Sequence, residues 1–288
     1  MSENTETTQN TAACPECGGT KFRYVEGQSG VVPCECQQKE RPVRLLAAAG
    51  IPRKYEDCRL DNYVAPANNP YLAAAHSDAI SYANAYLKAP TAKGLLFQGP
   101  PGRGKTHLAI GIIHRLIEGS VSCFFCNFAG ELQKIRESIG EDRSLNLPRL
   151  VYDADVLILD DFGQQRWSSW VQDHMSNVIS NRYNEGRATI ITTNLTDRSS
   201  KERQDLRVAA MKKLGVMNHA GEIDKFQLAR LEQLGIRFVA PHDEPETLED
   251  QIGDRLRSRL FEMCQIIPMW GDDYRRTQAE QRRDIFRR

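Results

Sequence analysis

Residues 99–106 read GPPGRGKT and stand directly behind an apolar run, Gly94-Leu95-Leu96-Phe97. An apolar helix-length stretch carrying Leu108, Ile112, Ile113 and Leu116 follows, and it stops at Gly119. Gly99, Gly102 and Gly104 leave the backbone free to take positive φ and to approach a ligand with no Cβ in the way. Consecutive N–H groups then point inward at phosphate oxygens, and the helix behind them adds its positive end. Lys105 is placed for the β- and γ-phosphates of a nucleotide and Thr106 for Mg²⁺. A plain Gly/Pro turn would not need Lys-Thr at this spacing, so the stretch predicts ATP or GTP binding. It also predicts a strand–loop–helix unit.

Further apolar runs recur at 121–125, 155–159 and 188–192 with no polar alternation. Strands of that kind are buried on both faces, and the segments between them have helical length. Together they predict an α/β fold with a parallel sheet flanked by helices. A helix over 71–87 precedes the phosphate loop. Residues 198–248 break the rhythm with two expected helices, 200–214 and 223–234, and a short apolar element at 236–239. That stretch reads as an insertion.

The run Val156-Leu157-Ile158-Leu159-Asp160-Asp161 ends a buried strand with two acids. Downstream of a phosphate loop, Asp160 fits the Mg²⁺-associated position and Asp161 the residue that orients or deprotonates the attacking water. Asn194 closes the next strand and either holds that water from the other side or is an ordinary turn residue. Arg255 and Arg259 fall at i, i+4 on one helical face. They are either a solvated face or a charge given to a neighbouring subunit's γ-phosphate.

The chain has 288 residues, 38 basic against 38 acidic, so bulk charge does not mark a nucleic-acid binder. Charge is segregated instead: residues 242–254 hold six acids and no Lys or Arg, whereas 274–288 hold six arginines and two acids. No apolar stretch approaches membrane-spanning length, and the polar start resembles no targeting peptide, which predicts a cytoplasmic protein without a membrane partner. Four of the eight cysteines cluster as Cys14, Cys17, Cys34 and Cys36. With Pro15, Gly18 and Gly19 at the first pair and strands expected over 21–26 and 30–32, they predict a ribbon closed by tetrahedral Zn²⁺. An iron–sulfur cluster or reduced thiols are the alternatives. Cys123 and Cys126 sit three apart on an apolar strand, where they are expected as core residues on opposite faces. Cys58 and Cys264 are isolated.

The ordered set GPPGRGKT, VLILDDFG, ITTNL and IGDRLRSRL resembles an AAA+ ATPase of the initiator and helicase-loader branch. The ribbon CPECGGT…PCEC, IPRKYED, Asn181-Arg182-Tyr183 and Asp273-Tyr274-Arg275 narrow the resemblance to the DnaC/IstB type, over residues 12–200 and 250–276. It implies a five-stranded parallel sheet of order 5-1-4-3-2, action on DNA as a multimer, Asn194 as sensor 1 and Arg259 as arginine finger, with Arg255 the alternative. It also implies that residues 51–55 border the adenine, and that the region of Phe128, Lys134 and Arg136 faces single-stranded DNA, with Phe128 read equally as a core residue. The partners implied are a replicative hexameric helicase, or a transposase for the IstB alternative, and further copies of the chain in an ATP-dependent oligomer. A metabolic kinase is disfavoured, because no acceptor pocket is legible and the ribbon would be idle. No helical lid follows Arg276, so no sensor-2 residue is assigned. The expected division is a disordered 1–11, a ribbon at 12–38, a linker helix (39–49) and turn to 59, an ATPase domain at 60–276 with the insertion 198–248, and a basic tail at 277–288.

Overall fold

A computed structural model describes residues 14–24, 30–128, 130, 149–163, 169–197, 247–271, 273 and 274, with 208, 209, 211–213, 215–217, 224, 226, 227 and 230. The expectations for 1–11, the helices and apolar element of 198–248, Lys134, Arg136 and the tail 277–288 fall wholly or largely outside those residues.

The chain opens with an antiparallel pair, β1 (Phe22–Tyr24) and β2 (Val31–Pro33). Helix α1 (Glu35–Ala48) follows at once, four residues earlier than the pattern suggested, so Cys36 lies in its first turn. Its interior Pro42 lies eight positions in, and the helix continues through it with no buried residue. A turn of 3-10 helix (Arg53–Tyr55) leads to α2 (Pro70–Lys88). There Asn69 accepts a hydrogen bond from the Leu72 N–H and Pro70 takes the first position, a start that needs no free N–H.

The body of the protein is a five-stranded parallel sheet: β3 (Gly94–Gln98), β4 (Cys123–Asn127), β5 (Val156–Asp160), β6 (Ala188–Thr193) and β7 (Cys264–Pro268). Its order is β4-β5-β6-β3-β7. Numbered within the sheet and read from the β7 edge, that is 5-1-4-3-2, as the resemblance implied. Helix α3 (Lys105–Glu118) leaves the phosphate loop with ten buried residues, Leu108, Ile112, Ile113 and Leu116 among them. It and α2 cover one face, packing with Leu95, Phe97, Phe125, Ile158 and Ile190. Helices α4 (Leu150–Asp153), α5 (Ser169–Asn184), α6 (Leu248–Ile252) and α7 (Asp254–Met263) accompany the sheet. The opposite face gathers Leu96, Leu157, Leu159 and Ile191 with Met175, Leu256 and Leu260. The period-2 alternation of strands thus serves two cores at once. Cys123 goes to the first and Cys126 to the second, as expected.

Strand β7 is the fifth strand that the resemblance implied, but no apolar run had marked its place. It starts the residue after α7 ends, with no turn residue between them, and it lies at an edge of the sheet with Gln265, Ile266 and Pro268 exposed. The 198–248 region leaves and re-enters at one place. Thr196 and Thr247 form a parallel bridge, and the Leu248 N–H donates to Thr196 O at 2.9 Å.

Candidate functional site

The C-terminal ends of β3, β5 and β6 bring the phosphate loop, the two acids and Asn194 together. Gly99 has φ 153°, and a Cβ there would lie 2.2 Å from Met269 O, so only glycine fits beside β7. Gly102, at φ 79°, would carry a Cβ 1.9 Å from Asp273 Oδ1, and the Tyr274 N–H donates to Gly102 O at 3.1 Å. The closing Asp273-Tyr274 therefore lies on the loop, a contact that sequence alone did not reveal. Lys105 is buried, and its ammonium donates to Gly99 O (2.7 Å), Pro100 O (2.9 Å) and Asn194 Oδ1 (2.5 Å).

Thr106 Oγ1 donates to Asp160 Oδ1 at 2.8 Å, and Thr192 Oγ1 donates to the same oxygen at 2.7 Å. Oxygens on adjacent corners of a Mg²⁺ octahedron with bonds of about 2.05 Å stand about 2.9 Å apart, so the Thr106–Asp160 pair fits that ion. Asp160 is 1% exposed, and burial pushes its carboxyl above the usual carboxylate range despite the two hydroxyls. Asp161 has φ 55°, a left-handed conformation that Asp tolerates, and its N–H donates to Thr192 Oγ1 at 3.0 Å. The turn sets Asp161 off the strand axis, next to the buried Asp160.

Arg182 of the Asn181-Arg182-Tyr183 signature is fully buried, without a carboxylate partner among the described residues. Its guanidinium donates to the carbonyls of Val151, Tyr152, Ala154, Asp155 and Ala188 and to Thr189 Oγ1. Burial pulls its pKa down to about 10. It braces the starts of β5 and β6, the strands that carry the acids and Asn194. Arg255 is exposed on α7, and Arg259 donates to Ser180 Oγ on α5.

Of the two readings open for Phe128 the structure takes the core one: it is 2% exposed and packs on Phe162 at 6.0 Å between centroids. Ile51 and Tyr55 pack partly buried on the core, and the stretch Arg59–Tyr63 is seated on the start of α3. Tyr63 Oη donates to Arg103 O at 3.0 Å, its ring meets the position of a Cβ on Gly104 at 2.5 Å, and His107 Nε2 lies 2.9 Å from Arg59 O. An aromatic residue far upstream of the loop had no signal to mark it.

At the other end of the chain the four ribbon cysteines converge. All their Sγ atoms lie within 4.8 Å of one another, with Cys14–Cys34 at 3.8 Å and Cys17–Cys36 at 3.6 Å. A tetrahedral Zn²⁺ with bonds of about 2.3 Å sets its sulfurs about 3.8 Å apart. The cluster fits that ion.

Residues 81–213 match the family described as IstB-like ATP binding protein. Among curated proteins, the uncharacterized protein YqaM of Bacillus subtilis is 27% identical over 172 residues, 57% of this chain and 54% of that protein. The replicative helicase loader DnaC of Buchnera aphidicola subsp. Baizongia pistaciae is 26% identical over 176 residues, 60% of this chain and 70% of that one. The chain thus spans about half the length of the first relative and more of the second. Among solved structures, that of the DnaC helicase loader is 22% identical with a TM-score of 0.50, over 76% of this chain and 100% of that one. Among the described residues no helix is long and apolar enough to cross a membrane.

Proposed function

We propose that this chain, whose residues 81–213 match the IstB-like ATP binding protein family, is an AAA+ protein of the DnaC/IstB type that hydrolyses ATP as a multimer and loads a replicative helicase onto single-stranded DNA. The observation that carries the reading is the meeting of Lys105, Thr106, Asp160 and Asn194 at one edge of the sheet, with Asp161 beside them. The names of the DnaC relatives support the partner.

In this reading Gly99, Gly102 and Gly104 let the loop wrap the phosphates of ATP, and Lys105 turns from its own carbonyls to the β- and γ-oxygens. Thr106 and Asp160 would hold Mg²⁺, which supplies charge neutralisation at those oxygens when bound. Asp161 accepts the proton of the attacking water, and Asn194 holds that water in line. Arg259, with Arg255 the alternative, faces the γ-phosphate of a neighbouring subunit, where a guanidinium stabilises charge that grows in the transition state. Cys14, Cys17, Cys34 and Cys36 would hold a structural Zn²⁺ that keeps the small ribbon folded as the helicase-facing module. The protein acts in the cytoplasm.

The test is direct: the purified protein is mixed with its host's hexameric replicative helicase and run on a sizing column with ATP. A joint peak that disappears when the ribbon is deleted is expected, and separate elution at micromolar concentrations would overturn the loader. The IstB-like family match favours one second reading, a transposition helper that coats duplex DNA. It would be marked by duplex preferred over single strands and by co-elution with a transposase.

A further inference from the structure

We propose that the ion pair between Asp197 and Arg257 positions the arginines of α7, so that the state of Asn194 at the nucleotide sets what α7 presents to the neighbouring subunit. The inference rests on the reading of Arg259 as acting across a subunit boundary. In this proposal Asp197 and Arg257 are positioning residues, acting through α7 and not on the reacting atoms.

The path starts at Lys105. An ammonium has three N–H donors, and those of Lys105 go to Gly99 O, Pro100 O and Asn194 Oδ1. Phosphates that recruit Lys105 draw its ammonium away from these acceptors, Asn194 Oδ1 among them. From Asn194 to Asp197 the chain is held at each step. The Leu195 N–H donates to Thr193 Oγ1 (3.1 Å), Leu195 O accepts from Gln98 Nε2 (3.0 Å), and Thr196 O accepts from the Leu248 N–H (2.9 Å). A shift of Asn194 therefore moves a braced segment, not a slack loop.

The segment ends on α7. Arg257 Nε donates to Asp197 Oδ1 at 2.7 Å, and Nη2 donates to Asp197 O at 3.3 Å. Both side chains are about one-quarter exposed, at 28% and 26%, so water screens the pair less than it would a surface pair. The guanidinium also lies 4.8 Å from the centroid of the Phe261 ring. Successive helix residues turn by about 100°, which sets Arg257 about 200° from both Arg255 and Arg259 while those two lie about 40° apart. Pinning one side of α7 through Arg257 thus fixes the direction in which the opposite side points. The helix has ten residues and no side-chain cap at its start, where Gly253 has φ 76°, so its own first turn does little to fix it.

Full-length Arg257→Gln and Asp197→Asn should each bind a fluorescent ATP analogue with parental affinity and melt at the parental temperature, yet hydrolyse ATP roughly tenfold more slowly. The double variant should be no slower than the worse single one, since both remove the same link. Arg257→Lys, which keeps the charge and one donor, should recover part of the rate. Mixing gives a readout that a merely structural loss would not move. Arg257→Gln subunits should regain activity with Asp161→Asn subunits, which keep Lys105, Asn194 and α7 and lack only the base, and regain none with Arg259→Ala subunits. Parental hydrolysis in both single variants overturns the inference, as does an impaired Arg257→Gln that Asp161→Asn cannot restore. Arg259→Ala mixed with Asp161→Asn is the separate control. No recovery there overturns action across the subunit boundary itself, whereas recovery there with an unimpaired Arg257→Gln overturns only the role of the ion pair.

Discussion

Burial works against the charge of Asp160. Its folded pKa lies above the unfolded value because burial disfavours the carboxylate. The stability it contributes is therefore present in acid and withdrawn as pH rises through the folded value. Asp160→Asn keeps an acceptor for Thr106 and Thr192 while removing the buried charge. The nucleotide-free variant should melt higher than the parent at pH 7 and lose Mg²⁺-dependent turnover; calorimetry and phosphate release measure the two. His114 has the opposite sign. Burial, with the charge of Arg59 beside it, pulls its imidazole down to about 4, and its Nε2 has no hydrogen-bond partner among the described residues. Its contribution is complete above the ordinary histidine value near 6.5 and is lost as pH falls toward 4. His114→Leu should move the acid unfolding midpoint to lower pH, and an unchanged midpoint by circular dichroism would remove His114 from the acid response.

Among the elements, the ribbon and α1 form one piece, because Cys36 sits inside the helix while its three fellow thiols sit on the knuckle and β2 side. Metal analysis of the purified protein should find about one Zn²⁺ per chain. Cys14→Ser with Cys17→Ser should lose it and fray α1 while ATP binding persists; an iron–sulfur absorbance band would identify a different metal. What could be read from residues alone follows from how local each signal is. The phosphate loop, the strands buried on both faces and the cysteine spacing each lie within a few consecutive residues, and their chemistry is legible there. Strand β7 was not, because a five-residue edge strand with Gln265, Ile266 and Pro268 exposed, beginning directly after a helix, offers neither a fully buried run nor a turn. Arg182 looks like one more charged position on a helix. Its value comes from carbonyls up to 31 residues away, which only the fold assembles. Tyr63 and the Lys105–Asn194 contact were hidden for the same reason.

For the whole molecule, hydrolysis that needs a neighbour's arginine should depend on assembly. Specific ATPase activity should rise with protein concentration and with added single-stranded DNA, and Arg259→Ala should bind ATP while turning it over poorly. A rate per chain that is flat across a hundredfold dilution would place catalysis within one subunit. The bridge between Thr196 and Thr247 carries a consequence of another sort, in polymer terms. Paired backbones stand about 5 Å apart, a gap that two or three residues span. The chain between Asp197 and Thr247, roughly fifty residues, is therefore a loop whose closure costs conformational entropy, and replacing it with a Gly-Ser joint returns about 2 kcal/mol of that cost. Loss of the buried Met211 and Val216 costs about 3–6 kcal/mol. The trimmed protein should therefore be less stable than the parent by about 1–4 kcal/mol, and denaturant titration would measure it. The stretch between Thr196 and Thr247 can thus be lengthened, shortened or exchanged without redesigning the strands and helices on either side of it.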